Sequence, residues 1–347
     1  MESLQGLNLF AQCYILFFVA IVGLCIGSFL NVVALRLLSD ESIVFPNSKC
    51  PKCETPLRKQ DNIPVISYIM LGGKCRNCKE KISIQYPLVE LFTGIMFVAV
   101  FMFAGFTLKT LFLLILVSAL IVVSITDIKE QVVFDITLLP LIPIGLVYNF
   151  FDLGKSGLGH VSIPLGGTGA TITLNEIFLS ALIAAIAGAA FFEILARLGL
   201  VAVGHRAFGE GDTIIAAALG AWFGWKLTVV IIVLSFLFQL VIGFPVIIYN
   251  MYREKDYPSL FAAAGLILAI IIPYAGKYLG LTSTFYGALI TLLAAFIVAI
   301  AGITIILYKM KERQSFTLLP FGPALVMGGF VAIFWGQEIL SYYKELF

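Results

Sequence analysis

The sequence is poor in charge. Only 12% of its 347 residues are Asp, Glu, Lys or Arg, whereas 61% are hydrophobic and the mean hydropathy is +1.04. A soluble globular chain carries roughly 25% charged residues. The composition therefore excludes an ordinary soluble domain and predicts a polytopic membrane protein.

Histidine is also scarce, and this limits the kinds of intramembrane chemistry. The chain has two histidines, His160 and His205, and no His-Glu-x-x-His motif of zinc proteases. The run Gly154–Gly157 resembles the serine motif of rhomboid proteases, but it lies in the polar, glycine-rich stretch 152–174, which predicts an external loop. Its nearby histidine is His160, not a residue of a second helix, so a serine protease is disfavoured.

What the chain has in abundance is long apolar runs. A spanning helix needs about 20 apolar residues. No basic region precedes the first run, so we expect it to remain as a helix and not to be cleaved as a signal peptide. The sixth candidate is short, and at about 1.5 Å per residue it reaches roughly 20 Å, which suits a half-span or re-entrant segment. Ten segments are predicted: 9–35, 87–105, 109–126, 134–151, 175–196, 213–225, 227–249, 259–276, 285–308 and 321–342.

The few basic residues are distributed unevenly between the two sides. Seventeen of the 22 fall on the side that holds the segment 36–86. Because lysine and arginine concentrate in cytoplasmic loops, this predicts that 36–86 is cytoplasmic and that both termini lie outside.

Four of the six cysteines form two C-x-x-C pairs in that cytoplasmic segment. The pairs are Cys50 with Cys53 and Cys75 with Cys78, and 21 residues separate them. Two such knuckles are typical of tetrahedral zinc, and a reducing cytoplasm disfavours disulfides. Four thiolates leave no open coordination position, so a small structural zinc lobe is predicted. A metal-free or redox-active pair of thiol turns is the alternative.

Two aspartates stand at the edges of apolar runs, and by the charge distribution both lie at the cytoplasmic face. Asp127 ends one run, and Asp212 follows Gly209-Glu210-Gly211 and precedes another. An ionisable residue at such a position indicates a functional site. Two carboxylates that share a proton can activate water against a peptide carbonyl, so a membrane aspartyl protease is our leading hypothesis.

Simpler roles remain open for these carboxylates. Asp212 could be the N-cap of a helix that starts at Thr213, and Asp127 a solvated helix end. Asp135 lies eight residues after Asp127, and both could face one cleft if that stretch is helical. Glu210 is interpreted as a solvated loop residue.

These motifs together resemble the bifunctional type IV prepilin peptidases, the leader peptidases/N-methyltransferases. The resemblance runs in order from about residue 20 to residue 335. This chain departs from the family pattern in having Phe134 where the family usually has proline, and in having two additional helices within 251–310. The matching runs are Gly27–Val33, Cys50–Cys53, Asn62–Pro64, Gly73–Cys75, Tyr86–Glu90, Asp127 with Asp135, Gly209–Asp212, Ala217–Trp222 and Pro320–Pro323.

The resemblance implies an activity and a set of site residues. An enzyme of this kind cleaves the basic leader of prepilins and pseudopilins after a glycine, using Asp127 and Asp212. It then methylates the new N-terminus with S-adenosylmethionine, and Gly73 and Glu90 are the residues we associate with that step. The expected setting is the bacterial inner membrane, with the bilayer and prepilins as partners and no nucleic acid.

The predicted fold is all-α and polytopic, with the small zinc lobe as its cytoplasmic part. A transporter built on the loosely similar stretches 228–276 and 291–340 is the alternative, although it would leave the cysteine lobe and Gly209–Asp212 unexplained. The predicted divisions are a first transmembrane helix (1–35), a methyltransferase-associated zinc lobe (36–86), a peptidase core (87–250), an additional helix pair (251–310) and a C-terminal helix (311–347).

Overall fold

The structure is a computed structural model that describes residues 8–45, 48–151, 160–164, 171–204, 206–278, 280, 285–312 and 320–346. Helices account for nearly all of its regular structure, which confirms the predicted all-α class. The helices are α1 (Leu9–Leu38), α2 (Ile66–Met70), α3 (Gln85–Ala104), α4 (Leu108–Glu130), α5 (Asp135–Leu138), α6 (Leu141–Phe150), α7 (Glu176–Val203), α8 (Glu210–Arg253), α9 (Tyr257–Tyr278), α10 (Phe285–Glu312) and α11 (Gly322–Leu346), with a 3₁₀ turn at Lys59–Asn62.

Seven of the described helices are long and apolar enough to cross a membrane, namely α1, α3, α4, α7, α8, α9 and α11. The apolar stretches Asp135–Phe150 and Gly287–Gly302 are shorter. This agrees with a multi-pass membrane protein, and the count of ten crossings stays a prediction.

Gly224 interrupts α8 where the sequence places a boundary between two segments. Its φ of 69° and ψ of 173° are not helical. A Cβ built on it would lie 2.7 Å from Ser180 Oγ, and that hydroxyl accepts a hydrogen bond from the backbone N–H of Trp225. Glycine is required here because a side chain would be both strained and obstructed. The first part of α8 is therefore short, as predicted for 213–225.

The stretch predicted as an external loop contains a β-hairpin. Strand β1 (His160–Pro164) pairs antiparallel with β2 (Thr171–Asn175), and His160 lies opposite Asn175. Branched residues such as Val161, Ile163 and Ile172 favour extended backbone. Residues 152–159, with the Gly154–Gly157 run, lie outside the described part of the chain.

The chain divides into two compact units. The first consists of Met1–Phe191, Glu210–Ser235 and Pro320–Phe347, and the second of Phe192–Gly209 and Phe236–Leu319. In the second unit α9 packs along α10, and Gly302 approaches the backbone of Ala262. Glu193 there pairs with Arg197 at 2.8 Å and with Arg206 at 2.5 Å.

Within the first unit, the short first part of α8 is enclosed by neighbouring helices. Trp222 Nε1 donates to Leu141 O of α6 at 2.8 Å, and Asn149 Nδ2 donates to the carbonyl of Ala221. Gly220 fits against the backbone of Ala184 in α7 without room for a Cβ. Small residues permit such close helix contact in membranes. These contacts hold in place the first part of α8, which carries Asp212 near its start.

Candidate functional site

Asp127 lies in the last turn of α4 and is buried, with 6% of its surface exposed. The helix ends three residues later because Gln131 adopts a left-handed conformation (φ 55°) and its N–H donates to Asp127 O. One carboxylate oxygen, Oδ2, is buried, and the backbone N–H of Gly322 is a polar neighbour of this carboxylate.

Asp212 lies in the first turn of α8 and is also buried, with 9% exposure. The helix begins at Glu210, so Asp212 is inside the first turn and is not the N-cap that the sequence allowed. The dipole of the first turn favours a negative charge at this position.

Gly211 brings the start of α8 against the segment that follows Asp127. A Cβ built on Gly211 would lie 2.5 Å from Cγ2 of Val133, far inside contact distance. Val133 belongs to the link between α4 and α5. Glycine at this position therefore allows the two aspartate-bearing segments to touch.

Gly322, the first residue of α11, contacts both helices that carry the aspartates, α4 and α8. A Cβ built on Gly322 would collide with Asp127 Oδ2 and lie 3.1 Å from Ile215 Cδ1, one turn after Asp212. Asp127 Oδ2 thus packs directly against the backbone at the start of α11. The sequence contained Gly322 in the Pro320–Pro323 run, but it offered no sign of this contact.

The other two carboxylates are placed differently. Asp135 and Glu210 are both exposed. Asp135 is the first residue of α5, and the chain from 131 to 134 is not helical. No continuous helix joins Asp127 to Asp135, so helical spacing does not place the two carboxylates on one face.

The four cysteines of the lobe form one compact cluster. Their sulfur atoms all lie within 4.8 Å of one another, with Cys50 Sγ 3.8 Å from Cys78 Sγ and Cys53 Sγ 4.0 Å from Cys75 Sγ. Tetrahedral zinc with Zn–S bonds of 2.3 Å requires sulfur separations of about 3.8 Å. The donor set and spacing therefore fit zinc.

The two knuckles share one backbone design. In each, the first cysteine's N–H donates to the carbonyl five residues ahead, and its own carbonyl accepts from the N–H four residues ahead. The paired bonds are Cys50 N to Thr55 O with Glu54 N to Cys50 O, and Cys75 N to Glu80 O with Lys79 N to Cys75 O.

Local hydrogen bonds favour the thiolate that metal binding needs at two of the cysteines, whereas desolvation and the neighbouring cysteines raise the pKa of Cys78 to about 11. The side chain and backbone of Thr55 lower the pKa of the Cys53 thiol to about 6. Hydrogen bonds from the backbone of Cys78 and Asn77 lower the pKa of Cys75. Cys13 and Cys25 lie in α1, outside this cluster.

Glu90 connects the lobe to the membrane helices. It lies in the second turn of α3, is 7% exposed, and its Oε2 accepts from the backbone N–H of Val65 at 2.7 Å. Val65 precedes α2 with a φ of 60°, which is strained for a β-branched residue. The Glu90 carboxylate thus stabilises the left-handed backbone conformation of Val65 at the start of α2.

Gly73 follows α2 in a tight turn. Its φ is 67°, its N–H donates to Tyr68 O, and a Cβ built on it would lie 2.9 Å from the Tyr68 hydroxyl. Glu90 and Gly73 therefore contact the two ends of the same short segment, Val65–Tyr68.

Family models match most of the first unit. Residues 21–104 match the bacterial peptidase A24 N-terminal domain, and residues 114–244 match the type IV leader peptidase family. Both models describe peptidases, so the transporter alternative finds no support.

Several curated proteins are similar along much of the chain. A prepilin leader peptidase/N-methyltransferase from Neisseria gonorrhoeae is 37% identical over 64% of this chain and 79% of its own length. Proteins with the same description from Pseudomonas aeruginosa and Myxococcus xanthus are 28% and 34% identical, over 97% and 60% of this chain and 94% and 56% of their own lengths. No solved structure matches the chain.

Proposed function

Because this chain belongs to the type IV leader peptidase family, we propose that it cleaves the leader peptide of type IV prepilins or pseudopilins and methylates the new N-terminus. The observation that carries the proposal is that Asp127 and Asp212 are both buried and lie on segments that touch. The contacts between these segments are Gly211 with Val133, and Gly322 with both Asp127 Oδ2 and Ile215. The basic leader is cut after a glycine, as the family resemblance implies.

The two aspartates act as a dyad in the peptidase step. One ionised carboxylate takes a proton from water as the water oxygen attacks the carbonyl carbon of the scissile glycine. The protonated partner gives its proton to the carbonyl oxygen, which forms a gem-diol. When the carbon–nitrogen bond breaks, a proton passes to the leaving amine. The burial of Asp127 and Asp212, in contrast to the exposed Asp135 and Glu210, supports their assignment as the dyad.

S-adenosylmethionine supplies the methyl group in the second step. Gly73 and Glu90 are the residues proposed to serve it. Their hydrogen bonds to Val65 and Tyr68, the two ends of one short segment, support one local site.

Zinc is proposed at Cys50, Cys53, Cys75 and Cys78 as a structural ion. Four sulfur ligands fill its coordination shell, so it holds the two knuckles together and leaves chemistry to other residues. The lobe of 36–86 is then the part of the chain associated with methyl transfer, and 87–250 is the peptidase core.

The protein is a multi-pass protein of the bacterial inner membrane, and its catalytic face is proposed to be cytoplasmic with both termini outside. The charge distribution supports this orientation. The additional helix pair 251–310 and the C-terminal helix 311–347 complete the proposed organisation, with prepilins and the bilayer as partners.

The decisive experiment is incubation of the purified full-length protein with a prepilin, with and without S-adenosylmethionine. Mass spectrometry of the product should show loss of the leader in both samples and an added methyl group only with the donor. An intact prepilin in both samples would contradict the peptidase, and cleavage without methylation would contradict the second activity alone.

A further inference from the structure

The short helix α2 of the lobe carries an exposed apolar face. Ile66, Ile69 and Met70 are 55%, 71% and 78% exposed. Residues three and four positions apart lie on one side of a helix. A five-residue helix that presents three large apolar side chains together is costly in water, so this face requires a partner.

The contacts of α2 place that face at the edge of the membrane. Val65, the residue before α2, is bound to Glu90 of α3, and Glu90 packs against Gly27 of α1, where a built Cβ would lie 2.8 Å from Glu90 Cα. Gly27 is 18 residues after Leu9, the start of α1. At 1.5 Å per residue this is about 27 Å, close to the hydrocarbon thickness of about 30 Å. If α1 enters the bilayer at Leu9, as the sequence predicts, the start of α2 is level with the opposite interface.

Two lysines lie opposite each other in the segment that follows α2. Lys74 and Lys81 lie opposite each other in an isolated antiparallel bridge, and both are exposed. Like charges directly opposite in such a pair repel. Within the described residues of the lobe, neither ammonium group has a carboxylate within ion-pair distance, whereas Arg76 is paired with Asp61 at 2.7 Å. The pair therefore suits an anionic group supplied from outside the fold.

We propose that Ile66, Ile69, Met70, Lys74 and Lys81 form a surface that docks the lobe onto anionic phospholipids of the adjacent leaflet. The apolar side chains enter the boundary between headgroups and acyl chains, and the two ammonium groups bind phosphate oxygens. This is how amphipathic interfacial helices and basic segments bind membranes. The docked surface fixes α2, and with it the turn at Gly73, at membrane depth.

Photo-crosslinking of the full-length protein in lipid nanodiscs tests this surface. A diazirine residue replaces Met70, and in a control protein it replaces Lys52, which is exposed on the first knuckle. The nanodiscs contain phosphatidylcholine alone or with phosphatidylglycerol. The expected result is a phospholipid adduct at position 70, increased by phosphatidylglycerol, and little adduct at position 52.

The charge requirement is tested with matched double variants of the position-70 protein. Lys74→Gln with Lys81→Gln should lower the adduct yield in phosphatidylglycerol nanodiscs, by about fivefold for each lysine if each contributes about 1 kcal/mol. Lys52→Gln with Lys79→Gln removes two exposed lysines of the same lobe and should leave the yield unchanged. Equal zinc content in all variants shows that the lobe is folded.

Three results would overturn the proposal. Adducts to another part of a protein instead of lipid would show that the apolar face binds a polypeptide. Equal lipid adducts at positions 52 and 70 would show that α2 has no special place at the interface. Equal effects of the two double variants would show that the lysine pair does not select anionic lipid.

Discussion

At the scale of single residues, the proposed peptidase depends on how two close contacts hold the segments that carry Asp127 and Asp212. Gly211 and Gly322 lack side chains at the points where Val133 and Asp127 approach them. The sequence singled out both aspartates, since charge at the edge of an apolar run is rare. The glycine contacts depend on residues as far apart as 133 and 211, or 127 and 322, so only the fold could reveal them.

The first prediction concerns the dyad itself. Asp127→Asn and Asp212→Asn keep size and most hydrogen bonding but remove the group that takes or gives a proton, so each should reduce prepilin cleavage by at least about 10²–10⁴-fold. Methylation of a pre-cleaved pilin should survive in both variants. Cleavage is followed by mass spectrometry, and Asp135→Asn is the matched control at an exposed carboxylate. Loss of cleavage in the control with retention in Asp127→Asn would reverse the assignment.

The second prediction isolates the position of Asp127. Gly322→Ala places a methyl group against Asp127 Oδ2, so the kcat for cleavage should fall by up to about 100-fold, as a displacement of about 1 Å can cause. KM should change little, because substrate binding does not depend on the reacting carboxylate. Steady-state kinetics separates these effects.

Two further variants distinguish displacement of the carboxylate from poor packing. Gly329→Ala lies two turns along α11, and its closest contact would be Leu219 Cδ2 at 3.0 Å, at the end of a flexible side chain. It should leave kcat near normal. Adding Ile215→Val to Gly322→Ala removes the Cδ1 atom that the new methyl group would also meet. If that double variant regains full activity, the effect of Gly322→Ala arose from packing and not from Asp127.

At the scale of elements, the zinc lobe is a local structure that depends on its metal. Each knuckle contributes two sulfur atoms, and the 3.8 and 4.0 Å contacts join one knuckle to the other. The spacing of the cysteines was enough to predict the cluster. The hydrogen bond from Val65 N–H to Glu90 was not predictable from the sequence, because the two residues are 25 positions apart and belong to different elements, the lobe and α3.

The third prediction is that loss of one ligand loosens the lobe. Cys75→Ser should lower bound zinc, measured by elemental analysis, because metal ligation and local folding are coupled. Methyl transfer should fall at least as much as cleavage, since Gly73 lies two residues before Cys75 whereas the aspartates lie elsewhere. Cys13→Ser, outside the cluster in α1, should change neither quantity. Undetectable zinc in protein purified without chelator would contradict the metal site.

At the scale of the whole molecule, the charge distribution predicts one orientation. A cysteine introduced at position 155 and another at position 206 should be labelled by a membrane-impermeant reagent from opposite sides, with the parent protein as background. Residues 155 and 206 flank α7, a helix long and apolar enough to span. Labelling of both positions from the same side would contradict the proposed topology.

The sequence by itself determined the membrane class, the helical architecture, the cysteine cluster and the two candidate aspartates. These features follow from composition, from apolar length and from spacings of a few residues, and such patterns can be read locally. Even the division of α8 near Gly224 was visible in the sequence as a boundary between two apolar segments.

Only the tertiary structure decided which groups meet. It placed Asp127 Oδ2 against Gly322, separated Asp135 from Asp127 by a non-helical link, and bound Glu90 to the start of α2. It also left the apolar face of α2 exposed. The physical reason is that burial and contact depend on how distant helices pack, and no local pattern records which side chain of one helix will face the backbone of another.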